Sequence, residues 1–211
     1  MTGEIDPEGN LGGRDTMTRL ADFLFEAGML RRTPRTGYQF LGSGGENVAE
    51  HSFRTALIGF VLAKMAGADP FRTAMLCLFH DLPEARTGDF NYVNKLYNRC
   101  DSERALRDAL SGTGLEDDVL PLFHELEASR TAEARLAQDA DQLDLIVNLK
   151  ERQDLGNPYA RKWIECSLER LRTDAARELA RAVIDTDHTE WWFFGPHKSW
   201  WSRKNGGEAK E

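Results

Sequence analysis

His51 and His80 stand within apolar, helix-spaced segments, where an imidazole needs a polar partner. His80 is followed at once by Asp81, then by Glu84 in Leu-Pro-Glu and by Asp89 in Thr-Gly-Asp. Imidazole nitrogen and carboxylate oxygen together suit a borderline first-row divalent ion. Glu84 falls four residues after His80 and three after Asp81, which returns it to the same side if the turn continues through Pro83. A His-Asp pair alone reads as a core histidine capped by a neighbouring carboxylate. A second inward histidine on an earlier helix shifts the balance toward a metal site. His124, His188 and His197 read as ordinary surface or packing residues.

A third segment adds acids. In residues 131–154, Leu136, Ala140, Leu143 and Val147 form a core stripe at helical spacing, and Ala137, Asp141, Asp144 and Asn148 form a row immediately beside it. An acid at the edge of a core stripe is either a solvated flank or a ligand reaching inward. Asp139 points to roughly the opposite side.

The elements that must position these groups are helices. Residues 17–30 show helical spacing, and 31–46, with Pro, Gly and Ser, read as a loop. Residues 47–66 put Val48, Ser52, Thr55, Gly59 and Leu62 on one face. Gly67 closes that helix, and Asp69 before Pro70 caps the next. That next helix, Phe71 to Phe79, is apolar nearly all round, which predicts a place in the centre of the protein. Weaker helical patterns cover 101–110 and 115–128. The 131–154 helix stops at Gly156-Asn157-Pro158, and a further helix is predicted over 159–184. No alternating strand pattern, repeat or low-complexity tract is evident. The expectation is an all-α, single-domain bundle of about six or seven helices over residues 16–185. It follows a disordered lead-in over 1–15 and precedes a Trp-rich tail over 186–211. Four of the five tryptophans fall in that tail, which reads as an aromatic flap packed on the body or a partner, or, more sharply, as a lid over a pocket.

The chain has 211 residues, 27 Lys+Arg against 35 Asp+Glu, and no basic cluster, which disfavours binding to duplex nucleic acid. A metal ion and one arginine can still reverse the field locally for a small anionic substrate. Cys77, Cys100 and Cys166 share no short spacing and are expected as reduced thiols. No signal-peptide pattern and no apolar run long enough to span a bilayer is found, so the expected location is the cytoplasm, without a membrane partner.

Taken together, three stretches resemble the HD-domain metal-dependent phosphohydrolase superfamily, in its 5′-deoxynucleotidase branch. They are Glu46-Asn47-Val48-Ala49-Glu50-His51-Ser52, His80-Asp81 through Glu84 to Asp89, and Ala140-Asp141-Gln142-Leu143. Arg35-Thr36-Gly37-Tyr38 is similar to the substrate loop of that branch. The resemblance covers about residues 17–155; residues 90–128 and the tail carry no matching motif. It implies an all-α fold and metal ligands His51, His80, Asp81 and Asp141. Glu84 is implied as the catalytic acidic residue, Asp89 as a second active-site acid, and Arg35 as the contact to the substrate phosphate. Tyr38 is a candidate wall against a ribose 2′-hydroxyl. The implied cofactor is a divalent ion, Mn²⁺ or Co²⁺ before Mg²⁺, Zn²⁺, Ni²⁺ or Fe²⁺. The implied substrate is a small nucleotide, a 2′-deoxynucleoside 5′-monophosphate whose phosphate is released by water that the ion activates. The implied assembly is a homodimer. Competing readings are an HD hydrolase of another nucleotide phosphoester and a non-catalytic nucleotide-binding helical module.

Overall fold

The computed structural model describes residues 15–193. The expected lead-in therefore lies outside the described residues except for Asp15, which caps the first helix by accepting from the Thr18 amide at 3.0 Å. Of the expected tail, residues 194–211 also lie outside them.

The described residues are all-α, with no strand among them beyond a single bridge between Pro34 and Asn47. In chain order the helices are α1 (Thr16–Ala27), α2 (Tyr38–Leu41), α3 (Val48–Ala66), α4 (Pro70–Phe79), α5 (Glu84–Thr87), α6 (Asn94–Tyr97), α7 (Ser102–Leu110), α8 (Glu116–Ala128), α9 (Ala132–Asp154), α10 (Ala160–Leu168), α11 (Asp174–Asp185) and α12 (Glu190–Phe193). Four of these (α2, α5, α6 and α12) are single turns. None of the described helices is long and apolar enough to cross a membrane.

The centre is α9, against which α3, α4, α10 and α11 all pack. Leu136, Ala140, Leu143, Ile146 and Leu149 are almost completely removed from solvent on it. A second cluster joins Phe23 of α1, Val48, Leu82, Leu106 and Leu110 of α7, and Val119 of α8. The face read from α3 is the buried one, since Val48, Ser52, Thr55, Gly59 and Leu62 all face inward. Gly59 is required by the close approach of α4: a Cβ there would sit 2.5 Å from Cys77 Sγ. Asn47 and Glu50 form a reciprocal cap at the start of α3, and Asp69 accepts from the Phe71 and Arg72 amides at the start of α4.

Two expectations are corrected. Helix α4 is not central. It packs on α3, α8 and α9, burying Thr73, Leu76 and Cys77, but leaves Phe71, Met75 and Leu78 exposed. The helix expected over 159–184 is two helices, α10 and α11, broken at Glu169–Thr173. The break is held by Asp139 of α9, almost fully buried, whose carboxylate accepts from the Arg172 and Thr173 amides and the Thr173 hydroxyl at 2.7–2.9 Å. Thr173 in turn caps α11.

The described start of the tail does not cover the cleft described below. Trp191 lines a groove with Val147, Leu179 and Val183, between α9 and α11, and His188 pairs with Asp154 at 3.2 Å.

Candidate metal centre

The buried first turn of α3, the middle of α9 and the C-terminal end of α4 converge on one point. His51 comes from α3, His80 from the C-terminal cap of α4, Asp81 from the turn after it and Asp141 from α9. His51 Nε2 lies 3.2 Å from His80 Nε2, 3.2 Å from Asp141 Oδ1 and 3.5 Å from Asp81 Oδ2; His80 Nε2 lies 3.1 Å from Asp81 Oδ2. Donors at about 2.1 Å from a common ion sit about 3 Å apart, so this spacing suits a divalent cation. His51, His80 and Asp81 meet as a group able to hold a metal, with Asp141 beside His51.

Both imidazoles are oriented from behind. His51 Nδ1 contacts Asp144 Oδ2 at 2.6 Å, and His80 Nδ1 contacts the Cys77 carbonyl at 2.6 Å. In the neutral form that a bound cation requires, an Nδ1–H donated to each acceptor would leave both Nε2 lone pairs facing the cluster, the arrangement that fixes tautomer and ring angle in metal-ligating histidines. Asp144 is fully buried and so is not a solvated flank; it stands behind His51, at the Nδ1 side of its ring. Arg54 bridges it to Glu46 and Glu151, and Asn148 donates to Glu46 at 2.8 Å. Arg54 and this network are absent from the sequence reading. The row Asp141, Asp144, Asn148 is the sequence signal that lies beside it. Gln142 donates to Asp141 Oδ2 at 3.0 Å, leaving Oδ1 toward His51.

Electrostatics follow from the crowding. Burial alone would raise the Asp81 and Asp141 carboxyls, yet His51, His80 and Arg35 hold both below the usual carboxylate range. Burial would likewise lower His51, but the Asp141 and Asp144 carboxylates push it up to about 10. Arg35 places Nη1 3.2 Å from Asp81 Oδ2 and Nη2 3.7 Å from Asp141 Oδ1. Its backbone is tied to the Glu46 carbonyl at 2.9 Å. Asp89 secures the same loop, accepting from the Thr36 amide at 2.6 Å and the Thr36 hydroxyl at 3.2 Å.

Arg35, Asp81, Asp89 and Asp141 line a cleft that also takes in Tyr38, Leu41, Glu84, Leu145 and Trp163. Glu84 opens α5, where burial, then the nearby Asp81 and Asp89, push its carboxyl up to about 8. Glu84 Oε2, Tyr38 Oη and Gln142 Oε1 are buried without a hydrogen-bond partner among the described residues, and all three line the cleft. Buried polar atoms are paired as a rule, so a cluster of unpaired ones in a cleft marks a polar ligand site. The structure thus brings together every candidate residue read from the sequence: His51, His80, Asp81 and Asp141 at the focus, Arg35 and Glu84 beside it, and Tyr38 and Asp89 in the wall. Tyr92, Lys95, Trp163 and Arg170, which also line the cleft, come from segments without a recognised motif.

Residues 27–183 match the family model described as HD domain. The chain is 29% identical to the 5′-deoxynucleotidase HDDC2 of Danio rerio over 150 residues, 67% of this chain and 74% of that one. A conserved hypothetical protein from Pyrococcus furiosus superposes with a TM-score of 0.63 at 29% identity, covering 77% of this chain and 98% of the other. A structure described as a predicted metal-dependent phosphohydrolase from Magnetospirillum magnetotacticum gives 0.59 at 26% identity, over 86% and 95%.

Proposed function

The chain belongs to the HD-domain family, and from that premise we propose that it is a divalent-metal-dependent phosphohydrolase releasing the phosphate of 2′-deoxynucleoside 5′-monophosphates. The observation that carries the reading is the meeting of two oriented histidine Nε2 atoms with two carboxylates and the Arg35 guanidinium, the last three lining one cleft. The similarity to 5′-deoxynucleotidases supports the substrate class. Residues 16–185 form the catalytic unit.

His51, His80, Asp81 and Asp141 would hold the ion, Mn²⁺ or Co²⁺ by preference. An ion bound there polarises the phosphoryl group and acidifies water. Arg35 offers a planar fork to the phosphate, its charge already drawn inward by Asp81 and Asp141. Glu84, whose carboxyl burial, Asp81 and Asp89 raise to about 8 in the metal-free protein, is placed to exchange a proton with water or the departing 5′ oxygen. Asp89, the second acid, anchors the Thr36 loop and so fixes Arg35 and Tyr38 relative to the floor. Tyr38 closes the wall where a ribose 2′-hydroxyl would enter. The apolar strip on α3 and α4 supports a homodimer, and the free thiols of Cys77, Cys100 and Cys166 support a reducing compartment, the cytoplasm.

The test is phosphate release from a panel of deoxy and ribo 5′-monophosphates and deoxynucleoside triphosphates, after stripping metal and restoring Mn²⁺ or Co²⁺. Metal-dependent release confined to deoxymononucleotides is expected. Release from other phosphoesters only would overturn the substrate class, and none under any metal would overturn the hydrolase.

A further inference from the structure

The floor of the cleft is acidic and metal-like, but its mouth is chemically different. Trp163 of α10 lines it, with Tyr92 and Lys95 from the segment after Asp89 and Arg170 from the link between α10 and α11. Arg170 lies with its guanidinium carbon 4.5 Å from the centre of the Tyr92 ring and also donates to the Tyr92 hydroxyl. This contact joins two stretches of chain 78 residues apart across the opening. A guanidinium stacked on a phenol is a flat, cationic, partly apolar surface.

The position of Arg170 is built from beneath. Asp139, two residues from the candidate ligand Asp141 on α9, holds the amides of Arg172 and Thr173 and so fixes the link that carries Arg170. One helix therefore sets both the floor and the mouth. Tight turns at Arg170 and Leu171, bonded to the Ser167 and Leu168 carbonyls, keep that link short.

With the phosphate at the metal cluster and Arg35, the other end of a nucleotide must reach this mouth. We propose that the Arg170–Tyr92 pair and Trp163 form the subsite for the nucleobase, making Arg170 a specificity-determining residue that selects a planar heteroaromatic group on the substrate. The proposal rests on the hydrolase reading for the direction in which substrate lies. Aromatic and guanidinium faces recognise any base by stacking, so the subsite favours nucleotides over base-free sugar phosphates while discriminating little between bases. Lys95 lies beside it as a charge that adds affinity for anions without demanding planarity.

The experiment compares kcat/KM for deoxyadenosine monophosphate with that for 2-deoxyribose 5-phosphate in wild type, Arg170→Ala, Arg170→Lys and Trp163→Phe. The wild-type ratio is expected to fall about tenfold in Arg170→Ala, a stacking-sized loss. Arg170→Lys should not restore it, because charge without a flat face is insufficient, and Trp163→Phe should fall less because a ring remains. An unchanged ratio in Arg170→Ala, or full rescue by lysine, would overturn the proposal. Calorimetric titration of the metal-loaded protein with deoxyadenosine, which has no phosphate, separates the two readings. Binding weakened about tenfold by Arg170→Ala without turnover on any substrate keeps the base subsite and discards the hydrolase. Binding equal in both proteins discards the subsite whatever the turnover.

Discussion

Each candidate ligand histidine uses its two ring nitrogens differently, and the difference is set by what stands behind it. His80 rests on a backbone carbonyl, which no substitution of a side chain removes, whereas His51 rests on Asp144. The Asp144→Asn variant should therefore weaken binding of Mn²⁺ about 10- to 100-fold, read by calorimetry, with helix content retained; affinity equal to wild type would dismiss Asp144 as the orienting group. Glu84 makes a prediction about pH in the metal-free protein. Its folded carboxyl is raised from 4.5 to about 8 by burial, Asp81 and Asp89. A raised acid contributes stability that is fully present below the unfolded pKa and is lost as pH rises through the folded one. Metal-free wild type should thus lose stability relative to Glu84→Gln between about pH 4.5 and 8, seen as diverging melting temperatures; parallel curves across that window would refute the raised carboxyl.

At the scale of elements, the helices that carry the site were readable because their apolar spacing coincides with the faces they bury. The face of α3 and the Asp141–Asn148 row of α9 are both periodic, and periodicity is a local property. The break between α10 and α11 was not readable, because Ile164, Leu168, Leu171, Ala175 and Leu179 keep helical spacing straight through it. What interrupts that helix is Asp139, 34 residues away from Thr173 in sequence, and a buried carboxylate reaching across helices leaves no local trace. For the same reason Arg54, Trp163 and Arg170 escaped the sequence reading: their roles come from partners on other elements. Asp139→Ala leaves two backbone amides and a hydroxyl without their buried acceptor. It should cost about 3 kcal/mol in urea unfolding, and Asp139→Asn, which keeps one acceptor, less. Equal stability in all three proteins would mean that the link holds itself.

At the scale of the whole molecule, two adjacent helices expose large apolar side chains that no other described residue covers. Helix α3 exposes Phe53, Leu57 and Val61, and α4 exposes Phe71, Met75 and Leu78. The two strips are joined where the Phe60 and Phe71 rings meet edge to face at 5.7 Å. A helix apolar nearly all round belongs in an interior, and α4, which leaves Phe71, Met75 and Leu78 exposed, satisfies that rule if a second copy covers them. A patch of large apolar side chains on two adjacent helices can contribute to an interface of the standard size, about 800 Å² per partner. The opposite face of α3 carries His51, so association there would also stiffen the helix that positions the metal site. Wild type should sediment as a dimer of a 23.9 kDa chain, and Leu57→Glu with Phe71→Glu, both at exposed positions and so compatible with the fold, should sediment as a folded monomer. A wild-type monomer at concentrations well above assay levels, or a double variant that remains dimeric, would remove this face as the interface.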